Sequence, residues 1–133
     1  MAFRTSQNQS LHDKVIETVA KELDIVNFNV YTNPNVQKNT LVNSHCPDII
    51  ITKKGQNTVE FIIEVETADS INIIEATNQW KKFSNEINAS FWILVPANSK
   101  HLAISLCKQI GITAGLGTYQ VDNFGNVINI SYE

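Results

Sequence analysis

Three carboxylates in one short stretch of the chain have the spacing to share a cation. Asp48 stands at the head of an apolar run, Ile49-Ile50-Ile51-Thr52, and Glu64 and Glu66 close a second run that begins at Val59. A Lys-Gly-Gln-Asn turn separates the runs, the pattern of two antiparallel strands joined by a short hairpin. Side chains alternate along a strand, so Glu60, Ile62, Glu64 and Glu66 share one face while Phe61, Ile63 and Val65 share the other. A hairpin loop with an odd number of residues, Gly55, Gln56 and Asn57, sets Asp48 opposite Glu64 at a cross-strand Cβ separation of about 5 Å. An even loop slips the register and sends Asp48 to the other face. The odd loop is the one expected here, because it gathers Asp48, Glu64 and Glu66 into one patch. Crowded carboxylates repel, so such a patch holds a cation or raises the pKa of a member. An all-oxygen donor set suits a hard divalent ion, Mg2+ or Mn2+. The same residues also read as solvated strand ends whose charge discourages edge pairing.

The pattern resembles the PD-(D/E)xK nuclease superfamily, the restriction-endonuclease-like and Holliday-junction-resolvase-like enzymes. Pro47-Asp48 opens one strand and Glu64-Val65-Glu66 closes the next, with Glu66 where the family usually carries lysine. Past the strand, Gln79-Trp80-Lys81-Lys82-Phe83 is similar to the Gln-x-x-x-Tyr element of the RecB-like branch, with Phe83 in the tyrosine position. The resemblance implies a metal-dependent nuclease that hydrolyses phosphodiester bonds in nucleic acid, DNA first. It implies Asp48, Glu64 and Glu66 as metal ligands, Mg2+ or Mn2+ as cofactor, and Gln79 orienting water or phosphate. Glu66 completes the metal shell or serves as base. Related enzymes often carry an acid on the first helix; Glu17 is the nearest match, but its helical angle points it away from the apolar face, and it stays outside the site. The acid in place of lysine leaves a second expectation, a catalytically inactive nuclease-like module that binds or regulates.

The elements that must position these residues follow from periodicity. Ser10-Leu11-His12-Asp13 has the form of a capping box and predicts a helix from about Leu11. Leu11, Val15, Ile16, Val19, Ala20 and Leu23 then make one apolar face, and His12 on that face reads first as a hydrogen-bonded core or boundary histidine, with a place beside the active site as the second reading. Ile25 to Thr32 alternates like a strand, and Asn33 to Ser44 reads as a loop beside Asp48. Asp69 or Ser70 is the predicted cap of a second helix running to about Asn85, with Ile73, Ala76, Trp80 and Phe83 as its buried stripe and Gln79 at the border. The continuous apolar run Ser90 to Pro96 predicts a strand covered on both faces and parallel to the one before. A third helix, capped by Asn98 or Ser99, turns Leu102, Ala103, Leu106, Cys107 and Ile110 inward and ends at Gly111. Ala114 to Gly117 reads as a bulge or turn, and two late strands flank Asp122 to Asn126. The sum is an α/β domain, residues 1–133, with a mixed central sheet flanked by helices, and it matches the restriction-endonuclease-like αβββαβ core that the resemblance implies.

Composition narrows the class. Hydrophobic content of 43% in 133 residues suits one folded domain. No run approaches the length of a membrane span and the amino terminus lacks a signal-peptide core, so a cytoplasmic protein with no membrane partner is expected. Cys46 and Cys107 read as free thiols; His45 and Cys46 lack further ligands for a zinc site. A net charge of −3 argues against broad attraction to a nucleic-acid backbone. Binding would then rest on a local strip drawn from Lys53, Lys54, Lys81, Lys82 and Lys100. A domain this small that cuts both strands of a duplex is expected to work as a homodimer.

Overall fold

The computed structural model of the chain describes residues 4–24, 27–34, 42 and 45–132. Helix α1 (Ser6–Leu23) leads into strand β1 (Phe28–Thr32), and the antiparallel ribbon β2 (Ile49–Lys53) and β3 (Val59–Val65) follows. Helix α2 (73–86), strand β4 (Ser90–Pro96), helix α3 (Lys100–Ile110), and strands β5 (Gly115–Val121) and β6 (Val127–Tyr132) complete the order. The six strands form one mixed sheet in chain order, antiparallel from β1 to β3, parallel from β3 to β5, and antiparallel again at β6. This is the mixed α/β architecture expected from the patterning. Residues 25–26, at the start of the predicted first strand, and most of the predicted loop 33–44 lie outside the described residues.

Alternation of branched apolar residues builds a core on each face. Ile50, Ile62, Ile93 and Val95 face α2 and α3, where they meet Trp80, Phe83, Ala103 and Leu106. Ile49, Ile51, Ile63, Val65 and Leu94 face α1, where they meet Val15, Ile16 and Val19. The continuous apolar reading of β4 follows from this: Ile93, Leu94 and Val95 are each buried because both faces are covered. Both β3 to β4 and β4 to β5 are parallel pairs joined by a helix.

Helix α1 begins earlier than its apolar pattern. Thr5 is the N-cap, its Oγ1 accepting from Asn8 N at 3.1 Å, so the helix starts at Ser6 and not near Leu11. The added turn, Ser6-Gln7-Asn8-Gln9, is polar and carries no periodicity to reveal it.

Helix α2 corrects the reading twice. Residues 68–70 make a separate 3-10 turn, and Asn72 caps the helix through Oδ1, which accepts from Glu75 N at 2.9 Å. Between the α-helical Ile73–Glu75 and Lys81–Glu86 lies a π-helical stretch, Ala76–Trp80. One extra residue in a turn rotates everything before it by about 100° relative to an unbroken helix. Ile73, expected inward, therefore stands 47% exposed, while Glu75 is buried at 5%. Ala76, Trp80 and Phe83 are buried as read from the sequence.

Two smaller differences have plain causes. Gly115 and Gly117 lie within β5, paired with Trp92 and Leu94 of β4, and not in a turn; they are glycines where a Cβ would overlap the Trp92 ring at 115 and crowd the Leu94 side chain at 117. Leu102 in α3 is half-exposed; Ala103, Leu106 and Cys107 carry the buried face, and Gly111 closes the helix at φ 73°.

Candidate metal centre

The hairpin register decides where Asp48 lies. Ile49 pairs with Ile63 and Ile51 with Phe61, so Asp48 stands opposite Glu64, as the odd loop predicts. The cause is different. Thr52 pairs with Val59, which is the even register, and Glu60 is an extra residue in β3 that restores the odd one. The bulge, and not the loop length alone, sets the two acids facing each other. They interlock: Asp48 N donates to Glu64 Oε1 at 2.9 Å, and Val65 N donates to Asp48 Oδ2 at 2.8 Å. Asn33, fully buried, pins the segment by donating Nδ2 to Pro47 O and its backbone N to Asp48 O, each at 2.9 Å.

Glu66 follows β3 and its backbone N bonds Leu94 O, which places it at the carboxyl ends of the parallel strands. Its side chain is fully buried and well supplied with donors. Oε1 accepts from Arg4 Nη2 at 3.0 Å and from Ser70 Oγ at 3.3 Å, and Oε2 accepts from Trp80 Nε1 at 2.9 Å. Tyr119 Oη donates to the Glu66 carbonyl at 2.9 Å.

The turn of α2 displaced by the π-helical stretch adds a fourth acid. Glu64, Glu66 and Glu75 each offer an oxygen, and these oxygens lie within 4.8 Å of one another. Gln79, half-buried one turn on, faces two carboxylate oxygens; with its amide nitrogen, the only donor it has, turned toward them, it donates to Glu75 Oε2 at 3.0 Å and to Glu64 Oε2 at 3.3 Å. On the other side of the sheet, His12 Nε2 lies 3.1 Å from Asp48 Oδ2.

Electrostatics mark the cluster as short of positive charge. Burial first, then repulsion from Asp48 and Glu66, pushes Glu64 well above the usual carboxylate range. Burial and the nearby Glu75 do the same to Glu66, against the pull of the Arg4 guanidinium. Burial raises Glu75 as well. Protons or a cation must balance these groups.

The structure thus brings together Asp48, Glu64, Glu66 and Gln79, each named from the sequence. The mutually close carboxylates, however, are Glu64, Glu66 and Glu75, with Asp48 beside Glu64. Glu75 and Arg4 gave no signal in the sequence: Arg4 precedes any periodic pattern, and Glu75 reads as a surface residue unless the π-helical turn is known; Ser70 reads as a helix cap, and its hydroxyl also reaches Glu66. His12 is a buried, hydrogen-bonded histidine and also stands beside Asp48, so both of its readings hold. Glu17 pairs with Lys21 at 3.2 Å on the exposed face, away from the acids. His45 is spent on Glu86 at 3.0 Å, and Cys46 and Cys107 are free thiols.

The expected basic strip is divided. Lys53 and Lys54 lie at the turn end of the ribbon, about 17 Å of extended strand from Asp48, and Lys53 leans on Glu60 at 3.8 Å. Lys81 and Lys82 are exposed on α2, and the cationic group that reaches Glu66 is Arg4. Among the described residues, no helix is long and apolar enough to cross a membrane.

No known protein family, curated protein or solved structure matches this chain.

Proposed function

We propose that this protein is a nuclease, hydrolysing phosphodiester bonds in nucleic acid, DNA first, with a divalent cation held by the carboxylates at the ends of β2 and β3. The observation that carries the reading is the interlocked Asp48–Glu64 pair with Glu66, Glu75 and Gln79 converging on it. The residues fit such an ion. Oxygens on opposite sides of Mg2+ or Mn2+, bound at about 2.1 Å, stand about 4.2 Å apart and adjacent ones about 3 Å apart, a range that oxygens of Glu64, Glu66 and Glu75 within 4.8 Å of one another can meet. Asp48 and Glu64 would be its principal ligands, with Glu75 and the remaining capacity of Glu66 beside them. When bound, the ion polarises the scissile phosphate and acidifies a bound water.

The chain's own groups divide the rest. Gln79 holds Glu64 and Glu75 in place by donating to both, which suits orientation of ligands better than orientation of substrate. Glu66 accepts three side-chain hydrogen bonds, from Arg4, Ser70 and Trp80, which hold its carboxylate in place; Glu75, raised by burial and without a bond to Arg4, is the base we assign to an attacking water. The order of elements from α1 to β4 agrees with the αβββαβ core that the resemblance implies, and a duplex substrate would call for a homodimer.

The inactive module has one observation in its favour: the position of the family lysine holds an acid already neutralised within the molecule by Arg4. One assay separates the readings. Single-stranded, duplex and branched DNA, and RNA, are incubated with the protein in Mg2+ or Mn2+. Cleavage is expected, and Asp48→Asn and Glu64→Gln should reduce it to background while the melting temperature stays within a few degrees. Cleavage at the wild-type rate by either variant contradicts the assignment, and no cleavage with no Mn2+ binding leaves the module.

A further inference from the structure

His12 is a polar ring on an apolar face. It is 1% exposed in a row with Val15, Ile16 and Val19, and an aliphatic residue would fill that place without the cost of burying an imidazole. Both ring nitrogens are engaged. Nε2 lies 3.1 Å from Asp48 Oδ2 and Nδ1 lies 3.0 Å from Asp13 Oδ1; with a proton on each nitrogen the ring donates to both. Gln9 lies beside them, its Nε2 3.4 Å from His12 Nδ1 and 3.3 Å from Asp13 Oδ1. The row runs inward from Asp13, at 32% side-chain exposure, through His12 to Asp48.

The arrangement acts on one oxygen of Asp48. Oδ2 receives Val65 N from β3 and His12 from α1, while Oδ1 has no hydrogen-bond partner among the described residues. A carboxylate fixed through one oxygen from two directions presents the other in a single orientation. Such outer contacts set how well a ligand binds a metal, and losing one costs about 10 to 100-fold in affinity.

We propose that His12, oriented by Asp13, is a positioning residue that holds Asp48 so that Oδ1 faces a divalent cation. The role rests on the cation site proposed above. α1 thereby contributes to that site through the sheet, although its own surface acid Glu17 points away.

The test is titration calorimetry of the full chain with Mn2+ alone, with melting temperatures in chelator as the control on folding. His12→Leu should weaken Mn2+ binding about 10 to 100-fold with little change in melting temperature. His12→Gln, whose amide nitrogen reaches about as far as Nε2, should retain most of the affinity, and the shorter His12→Asn should lose it. Asp13→Asn should give a smaller loss in the same direction. Wild-type binding together with unchanged affinity in His12→Leu overturns the role of His12 and leaves the cation site standing. Should His12→Leu fail to fold, equal affinities in the Gln and Asn variants overturn it instead. A wild-type protein that takes up no Mn2+ removes the cation site itself, and this role with it.

Discussion

Glu66 is the residue whose chemistry departs most from its place in the pattern. Where the resemblance calls for a cation, the chain carries an acid, and the cation arrives from Arg4, more than sixty positions earlier in sequence. The pair is buried on both sides, so screening by solvent is weak. Removing Arg4 leaves Glu66 with Ser70 and Trp80 but no counter-charge. Arg4→Ala should therefore destabilise the protein by about 3 kcal/mol near pH 8, and by less near pH 5, where Glu66 takes a proton in place of its partner. Urea unfolding at the two pH values measures this; an equal cost at both would show that Glu66 is not the group that responds. Tyr119 belongs to the same assembly, since burial raises its phenol far above its ordinary value and keeps it a donor to the Glu66 carbonyl.

At the level of elements, two local irregularities do the positioning. The extra residue Glu60 in β3 shifts the ribbon by one and turns an even loop into an odd register, which faces Asp48 toward Glu64. The π-helical stretch Ala76–Trp80 turns Glu75 inward to join them and leaves Ile73 outside. Both follow the rule that such insertions concentrate where side chains must be re-aimed. Deleting the exposed Thr77 should let α2 run as an unbroken helix and swing Glu75 outward by about 100°. Circular dichroism should then report an intact helical signal while Mn2+ binding falls. Undiminished binding would mean that Glu75 plays no part.

Across the whole molecule, the cluster makes stability depend on pH in a direction opposite to that of most carboxylates. Glu64, Glu66 and Glu75 all have folded-state values raised above the ordinary 4.5. The folded state thus holds more protons than the unfolded chain once the pH exceeds that value. Their contribution is fully present below it and is lost as pH rises through the raised values. In chelator, the melting temperature should fall between pH 5 and pH 8. Mn2+ should reverse the fall by replacing the protons, with proton release on binding that calorimetry in buffers of different ionisation enthalpy can count. A melting temperature that is flat with pH and indifferent to Mn2+ would remove the charge imbalance from the description.

The apolar run after Asp48 and the alternation from Val59 to Glu66 gave the central ribbon and its faces; the facing of Asp48 and Glu64 is expected from an odd loop, but the structure reaches it through the bulge at Glu60, which no sequence period marks. The helical spacing of Val15, Ile16 and Val19, and of Ala76, Trp80 and Phe83, likewise gave the helices that cover the ribbon. These are properties of neighbours along the chain, where burial imposes a period of two or of about 3.6. The rest depended on contacts without a period. Arg4 lies in a segment with no pattern, the cap at Thr5 precedes a polar turn, Glu75 faces inward only because a helical turn is widened, and His12 meets Asp48 only when α1 lies across the sheet. Local patterning decided which residues are buried together; the three-dimensional packing decided which charges meet, because electrostatic partners are chosen by distance in space and leave no mark on spacing in sequence.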